Sequence, residues 1–379
     1  MKRRDFLAAT VSALVAPRLA FAAADYRRLL ILVELKGGND GLNTVVPYAD
    51  AAYYALRPRL AIAREAVLQL DARCGLHPAL EPLMPLWRAG ELALVQGVGY
   101  PHPNLSHFRS IEIWDTASGS AQYLQDGWLA RAFAAAPVPG SFAADGVVVG
   151  SNDMGPLAGG GARALTLNDP DQFLRRARLV QPEGSSANAA LAHILEVEAG
   201  IAQAAARLAP DVPLRTVFPS GPFGNALRTA AELAANRSGV AAVRVTLDGF
   251  DTHQNQLPRQ QRLLAELAAG LAALKAGLLE IGRWDSTLVL TYAEFGRRPQ
   301  ENGSLGTDHG TASAHFVLGG RVRGGLYGAA PELGALEGGN LRYAVDFRQL
   351  YATVLERWWG LDAARALGGR FAPLALLRA

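Results

Sequence analysis

The apolar positions of this chain fall into short unbroken runs separated by segments of helical period. Tyr26 to Leu35 (YRRLLILVEL) has the composition of a strand buried on both faces, and it ends in the turn cluster Lys36-Gly37-Gly38-Asn39-Asp40-Gly41. Pro78 to Ala89 carries leucines at 80, 83 and 86 with Trp87, which predicts a helix, and Glu91 to Gly97 (ELALVQG) predicts the next strand. Asn104 to Thr116 includes a helix bearing Ser106, His107, Ile111 and Trp114, and Val147 to Gly150 reads as a short strand. Between Ser151 and Gly184 the chain is rich in Gly, Pro and Asp around Gly159-Gly160-Gly161, which predicts an irregular insertion. Asn188 to Leu208 and Asn225 to Ala235 are Ala/Leu-rich helices.

The second half is more regular. Ala241 to Leu247 (AAVRVTL), Ser286 to Tyr292 (STLVLTY) and His315 to Gly319 (HFVLG) predict strands, and Leu257 to Ile281 a long helix. Asp346 to Trp359 predicts an amphipathic helix with Phe347, Leu350, Val354 and Trp358 on one face. No internal repeat is visible. This alternation predicts an α/β fold with a mostly parallel central sheet and helices on both faces, in which ligands sit beyond the carboxyl ends of the strands.

The first residues belong to a different kind of segment. Met1 to Asp5 is basic, Phe6 to Ala16 is mildly apolar, and Ala20-Phe21-Ala22 supplies a small-residue cleavage site, the order expected of an export signal. Lys2-Arg3-Arg4-Asp5-Phe6-Leu7 resembles the twin-arginine consensus, so residues 1–22 are expected to engage the twin-arginine translocase. Residues 23–379 are then expected to form one domain that works in the periplasm or beyond it. No apolar run has the length of a membrane span. The net charge of +3 rests on this leader, where Lys2, Arg3, Arg4 and Arg18 stand against Asp5. The remainder is neutral overall, so nucleic acid is not an expected partner. A single cysteine, Cys74, excludes an internal disulfide framework, and no zinc-type CxxC is present.

Candidate chemistry gathers where the strands end. Asn39 and Asp40 follow the first strand, Ser106 and His107 follow ELALVQG, Asp248, Asp251 and His253 follow AAVRVTL, and Glu294 follows STLVLTY. Asp308-His309 precedes the HFVLG strand, which opens on His315. Carboxylates mixed with imidazoles form the ligand set of zinc, manganese and similar ions, and several strand ends are needed to surround one. His193 lies in a helical stretch, and His77 and His102 stand beside prolines in turns, which assigns them structural roles. The glycine cluster at Gly37 is neither a dinucleotide fingerprint nor a P-loop, and no G-x-S-x-G elbow occurs. Arg297-Arg298 fits an oxyanion site or a solvated loop equally.

Taken together, several segments resemble one family. Gly37-Gly38-Asn39-Asp40-Gly41-Leu42-Asn43-Thr44, Gly99-Tyr100-Pro101 through Ser106-His107-Phe108, Gly249-Phe250-Asp251-Thr252-His253, Glu294-Phe295-Gly296-Arg297 and Gly306-Thr307-Asp308-His309-Gly310-Thr311 are similar to the twin-arginine-exported bacterial family named domain of unknown function 1501. That family is grouped with the alkaline phosphatase-like superfamily. The resemblance implies an alkaline phosphatase-like sandwich with two divalent metals and a Ser, Thr or formylglycine nucleophile acting on phosphate or sulfate esters. Carried over by motif, Asp40 resembles the acid that holds the second metal, and Asp251 with His253 resembles the Asp/His pair of a later strand. Asp248 with His253 matches the usual wider spacing better. Gly306-Thr307-Asp308-His309 resembles the phosphopentomutase segment whose histidine is a ligand. Where the superfamily has Ala-Asp-His-Gly, this chain reads Ala293-Glu294-Phe295-Gly296, which keeps an acid and loses an imidazole. Ser106 lacks the sulfatase context, which argues against formylglycine.

These residues predict an exported metal-dependent hydrolase of small or polymeric phosphate or sulfate esters. Ser106 would attack; one or two ions, zinc or manganese, would rest on Asp40, Asp251, His253, Glu294, Asp308 and His309; Asn39, His107 and Arg297 would contact substrate. The alternative is a catalytically degenerate envelope protein that binds a protein or polysaccharide partner.

Overall fold

A computed structural model describes residues 24–168, 188, 207–208, 213–236 and 238–378. The export signal expected over residues 1–22, His193, nearly all of the helix predicted over 188–208 and the part of the insertion beyond residue 168 lie outside the described residues. The strands are β1 Leu29–Lys36, β2 Val45–Val46, β3 Leu68–Gln69, β4 Gly75–Leu76, β5 Leu92–Gly99, β6 Ala144–Val149, β7 Ala164–Leu167, β8 Val240–Asp248, β9 Thr287–Tyr292, β10 Ser313–Leu318, β11 Gly325–Tyr327 and β12 Val345–Asp346. The helices are α1 Ala51–Leu56, α2 Met84–Arg88, α3 His107–Thr116, α4 Trp128–Ala135, α5 Pro222–Ala235, α6 Gln256–Glu280, α7 Phe347–Ala352 and α8 Ala363–Leu367.

The central sheet runs β11-β5-β10-β9-β1-β8-β6-β7, with β12 also on β5, while β2, β4 and β3 form a small separate sheet. Strand β1 is flanked by β8 and β9, both parallel to it. It is covered on both faces, which is why its sequence is a near-continuous apolar run, interrupted at Glu34, rather than an alternating one. Strand β10 is antiparallel to both its neighbours, β5 and β9. Its amino end therefore meets the carboxyl ends of β1, β8 and β9, and the loop before it joins the same edge.

Helices cover both faces. Leu29, Ile31, Val33 and Leu35 pack with α5, α6 and the Pro78–Met84 segment, whereas Leu30 and Leu32 face α3, α4, α7 and α8. The helix predicted over Pro78–Ala89 is a 3₁₀ helix, Pro78–Leu83, followed by the short α2. Pro82 and Pro85 have no N–H to continue an α-helical ladder. The carboxyl-terminal helix begins with a capping box between Asp346 and Gln349 and turns to π geometry over Thr353–Trp358. The adjacent Trp358 and Trp359 are both buried there, donating to Leu29 O at 3.2 Å and Arg28 O at 2.7 Å. The described part of the insertion is less irregular than its composition predicts, since it holds a 3₁₀ turn at Gly155–Leu157 and the edge strand β7, parallel to β6.

His315 is part of this core rather than of a site. Its ring packs edge-on to Trp114 with centroids 5.4 Å apart, neither nitrogen has a hydrogen-bond partner among the described residues, and burial pushes its pKa down to about 3. An unfolded histidine titrates near 6.5, so between those values the unfolded chain binds a proton that the native chain refuses, and stability falls as pH drops through that window. By about pH 4.5 the loss amounts to roughly 2–3 kcal/mol. His315→Leu is expected to lose correspondingly less stability than wild type between about pH 7.5 and pH 4.5. Urea unfolding at both values checks this; equal losses in the two proteins would refute it.

Candidate metal centre

Four segments meet at the carboxyl edge of the sheet. The turn after β1 contains Gly37 and Gly38 with φ of 108° and 78°, values that glycine adopts without strain. A Cβ on Gly37 would collide with the backbone nitrogen of Asp251, and one on Gly306 with the backbone of His253. These glycines therefore let the β1 turn and the loop carrying Asp308 and His309 close onto the segment after β8. Helix α3 points its first residue, His107, at the same place.

Asp251 sits at the middle. Its Oδ1 lies 3.1 Å from His253 Nε2 and 3.4 Å from His309 Nε2, and its Oδ2 lies 3.5 Å from His107 Nε2. His253 Nε2 and His309 Nε2 are 2.9 Å apart. One donor atom from each of His107, Asp251 and His309 falls within 4.8 Å of the other two. The far nitrogen of every ring is held: His107 Nδ1 by Glu294 Oε1 at 2.7 Å, His253 Nδ1 by Asp308 Oδ1 at 3.3 Å, and His309 Nδ1 by Leu105 O at 2.7 Å. Carboxylates and a carbonyl only accept hydrogen bonds, so each Nδ1 carries a hydrogen, and a ring that holds no second hydrogen turns an Nε2 lone pair inward. Metal-ligating histidines are fixed in this way, with the second nitrogen donating to a carboxylate or backbone carbonyl.

The charges reinforce the arrangement. The hydrogen bond that His107 donates to Glu294 raises its pKa despite burial, with Asp251 adding to the effect. Burial lowers that of His309, and the charges of Arg297, His107 and His253 add to it. Burial alone would push Asp251 up, but Arg297, His253 and His107 outweigh it and hold the carboxyl below its usual range. The bond from Asn302, with His253 behind it, lowers Asp308 as well.

Other predicted site residues are used elsewhere. Asp40 is 2 % exposed and pairs with Arg57 at 2.6 Å, while the Leu42 N–H and the Gln256 amide also donate to it. Its oxygens are thus spent on protein donors, and it is an internal ion-pair partner instead of a ligand in the histidine cluster. Asn39 is fully buried and exchanges hydrogen bonds with Thr44, so it does not face a substrate. Arg297, 1 % exposed, donates to the carbonyls of Gly37, Gly38, Phe250 and Thr307 and to Asp251 Oδ1 at 2.6 Å. It staples the loops together and has no free face for an oxyanion.

Glu294 is buried, and besides His107 it accepts the Gly37 N–H on Oε1 at 3.0 Å and on Oε2 at 3.2 Å. Asp308 is a partner of His253 at the rim, and Asp248 remains exposed at the end of β8. Ser106 is the N-cap residue of α3, but its side chain makes no capping bond, and it lies exposed directly beside His107.

Sequence reasoning missed a buried charged layer on the α3 face of the sheet. Arg244 donates to Tyr292 Oη at 2.7 Å and to Glu34 Oε2 at 2.8 Å, and Tyr292 Oη donates to Asp115 Oδ1 at 3.3 Å. Burial raises the pKa of Asp115 well above the usual carboxylate range. Its signal was legible: Glu34 and Arg244 interrupt the apolar runs of neighbouring strands, and Glu34 is in register with Thr246, two residues from Arg244 and on the same face.

The family description "protein of unknown function (DUF1501)" matches residues 68–370, more than half of the chain. The chain belongs to that family. No curated protein matches it. Among solved structures this DUF1501 protein is similar to the lipoteichoic acid synthase LtaP from Listeria monocytogenes, at 11% identity over 80% of this chain and 68% of that one, TM-score 0.35. It is similar to Ps i-CgsB at 11% identity over 91% of this chain and 73% of that one, TM-score 0.40. A TAB5 alkaline phosphatase mutant with Mg bound in its M3 site gives 10% identity over 77% of this chain and 91% of that one, TM-score 0.33. Likenesses this distant leave the site to be read from its own residues.

Proposed function

We propose that this DUF1501 protein is an exported hydrolase of phosphate or sulfate esters that works with a divalent cation held by Asp251, His253 and His309. The observation that carries the reading is the convergence of Nε2 atoms on a carboxylate, with each Nδ1 already committed to an acceptor. Groups this close are held together by shared protons or by a metal cation, and imidazole nitrogen with carboxylate oxygen is the donor set of zinc and related ions. Such an ion, when bound, would stabilise charge on the ester oxygen and lower the pKa of a nucleophile.

The chain supplies the remaining parts. Ser106 presents a hydroxyl not spent on capping, and it is the nucleophile in this reading. The uncapped N terminus of the ten-residue α3 points N–H groups towards the same edge, where they favour an anionic ester group. Export through the twin-arginine route is part of the proposal and rests on Arg3, Arg4 and the segment that follows them.

A second reading is a non-catalytic binding protein. It is favoured by the commitment of Asp40 to Arg57 and of Glu294 to Gly37 and His107, which removes two acids from catalysis. Metal content and turnover of an aryl phosphate and an aryl sulfate separate the two. Wild type is expected to retain a divalent ion and turn over one of the esters. Asp251→Ala and His309→Ala are expected to lose the ion, with turnover falling roughly 100-fold or more. A wild type that binds the ion but turns over neither ester supports the second reading.

A further inference from the structure

We propose that the centre is built for one cation, with His107 as a fourth protein ligand and Glu294 as the residue that positions His107. The inference rests on the cation-binding part of the reading above and deepens it. His107 Nε2 is buried and has no hydrogen-bond partner among the described residues, although it faces Asp251 Oδ2 at 3.5 Å. The carboxylate of Glu294 takes the hydrogen of Nδ1, and the Gly37 N–H in turn holds that carboxylate on both oxygens. The ring is thereby locked with its Nε2 aimed at the atoms that surround Asp251.

The spacing fits a single ion. Four donors arranged tetrahedrally at about 2.0–2.1 Å from zinc lie about 3.4 Å from one another. Asp251 Oδ1 stands 3.1 and 3.4 Å from His253 Nε2 and His309 Nε2, which are 2.9 Å apart; its Oδ2 stands 3.5 Å from His107 Nε2, and His107, Asp251 and His309 offer donor atoms all within 4.8 Å of one another. Four protein donors still admit a substrate oxygen, because zinc expands to five-coordination.

A second ion would lack its ligands. The positive charge beside Asp40 is the buried guanidinium of Arg57, and both oxygens of Glu294 are engaged by a peptide N–H. Phe295 offers no metal-binding atom, and its ring packs 4.5 Å from that of His309 and 4.8 Å from that of His107. The two acids outside the cluster are thus held by protein donors.

The test measures binding in the full exported chain. Equilibrium dialysis with zinc is expected to give one ion per wild-type chain. Chelator competition is expected to show Glu294→Gln weakened roughly 10–100-fold, the usual effect of removing a group that orients a ligand, and His107→Gln weakened by at least as much. Cobalt substitution supplies a readout independent of activity. The visible bands should change in His107→Gln and persist with altered positions in Glu294→Gln, and circular dichroism confirms that both variants are folded. Two ions per wild-type chain would overturn the inference, as would wild-type affinity and an unchanged cobalt spectrum in folded His107→Gln. A wild type that binds no ion sinks the cation reading itself, whereas an ion indifferent to His107 sinks this inference alone.

Discussion

Arg57→Met is expected to destabilise the protein by about 3–5 kcal/mol at neutral pH, the usual result of leaving one member of a buried ion pair alone. Arg57 is fully buried, and its guanidinium reaches Asp40 at 2.6 and 3.0 Å, Asn43 Oδ1 at 2.6 Å, Pro299 O at 2.7 Å and Arg298 O at 3.0 Å. Removing it strands the Asp40 charge in a place that water does not reach. The double variant Arg57→Met/Asp40→Asn should recover part of the loss, since it takes away the charge as well as its partner. Breaking the exposed Arg228–Glu232 pair of α5 should cost no more than about 1 kcal/mol; Arg228 is 55% exposed there. A double-mutant cycle read by urea unfolding gives all these values. If Arg57→Met cost as little as the surface pair, Asp40 would be free to serve as a ligand after all.

Residues with local causes were the legible ones. Strands β1, β8 and β9 stand out in the sequence because both of their faces are covered, so each becomes an apolar run closed by polar residues. The direction of β10 was hidden, because nothing in HFVLG encodes the path of the preceding loop. Strands β2, β3, β4 and β12, of two residues each, are too short to carry any period. Edge strand β7 is only partly buried along most of its length, and its alternation is faint.

The same division holds at the site. His107, Asp251, His253, Glu294 and His309 could be gathered from the sequence because each follows or precedes a strand end. What each does was set by partners remote in the chain. Arg57 lies 17 residues from Asp40, and Gln256 lies 216 residues away, yet together they decide that this acid is an anchor. Leu105 and Glu294 fix the tautomers of His309 and His107 across separations of 204 and 187 residues. A motif names the residue type that chemistry needs; burial and hydrogen-bond partners determine which of those residues is available to perform it.

Arg297 makes the strongest demand on that distinction, and its removal should have the largest effect on folding. Its five contacts join the turn after β1, the segment after β8 and the loop before β10, so one side chain closes three pieces of backbone around Asp251. Arg297→Met is expected to cost at least about 4 kcal/mol, because several buried carbonyls lose their donor and each such loss costs about 1–3 kcal/mol. Arg297→Lys should fail to restore the stability, since a compact ammonium with three donors does not reproduce the planar fork of guanidinium. Urea unfolding of both variants measures the effect. An arginine that served to bind ester oxyanions would behave differently: Arg297→Lys would raise KM at unchanged stability, and near-wild-type stability in Arg297→Met would return the residue to that role.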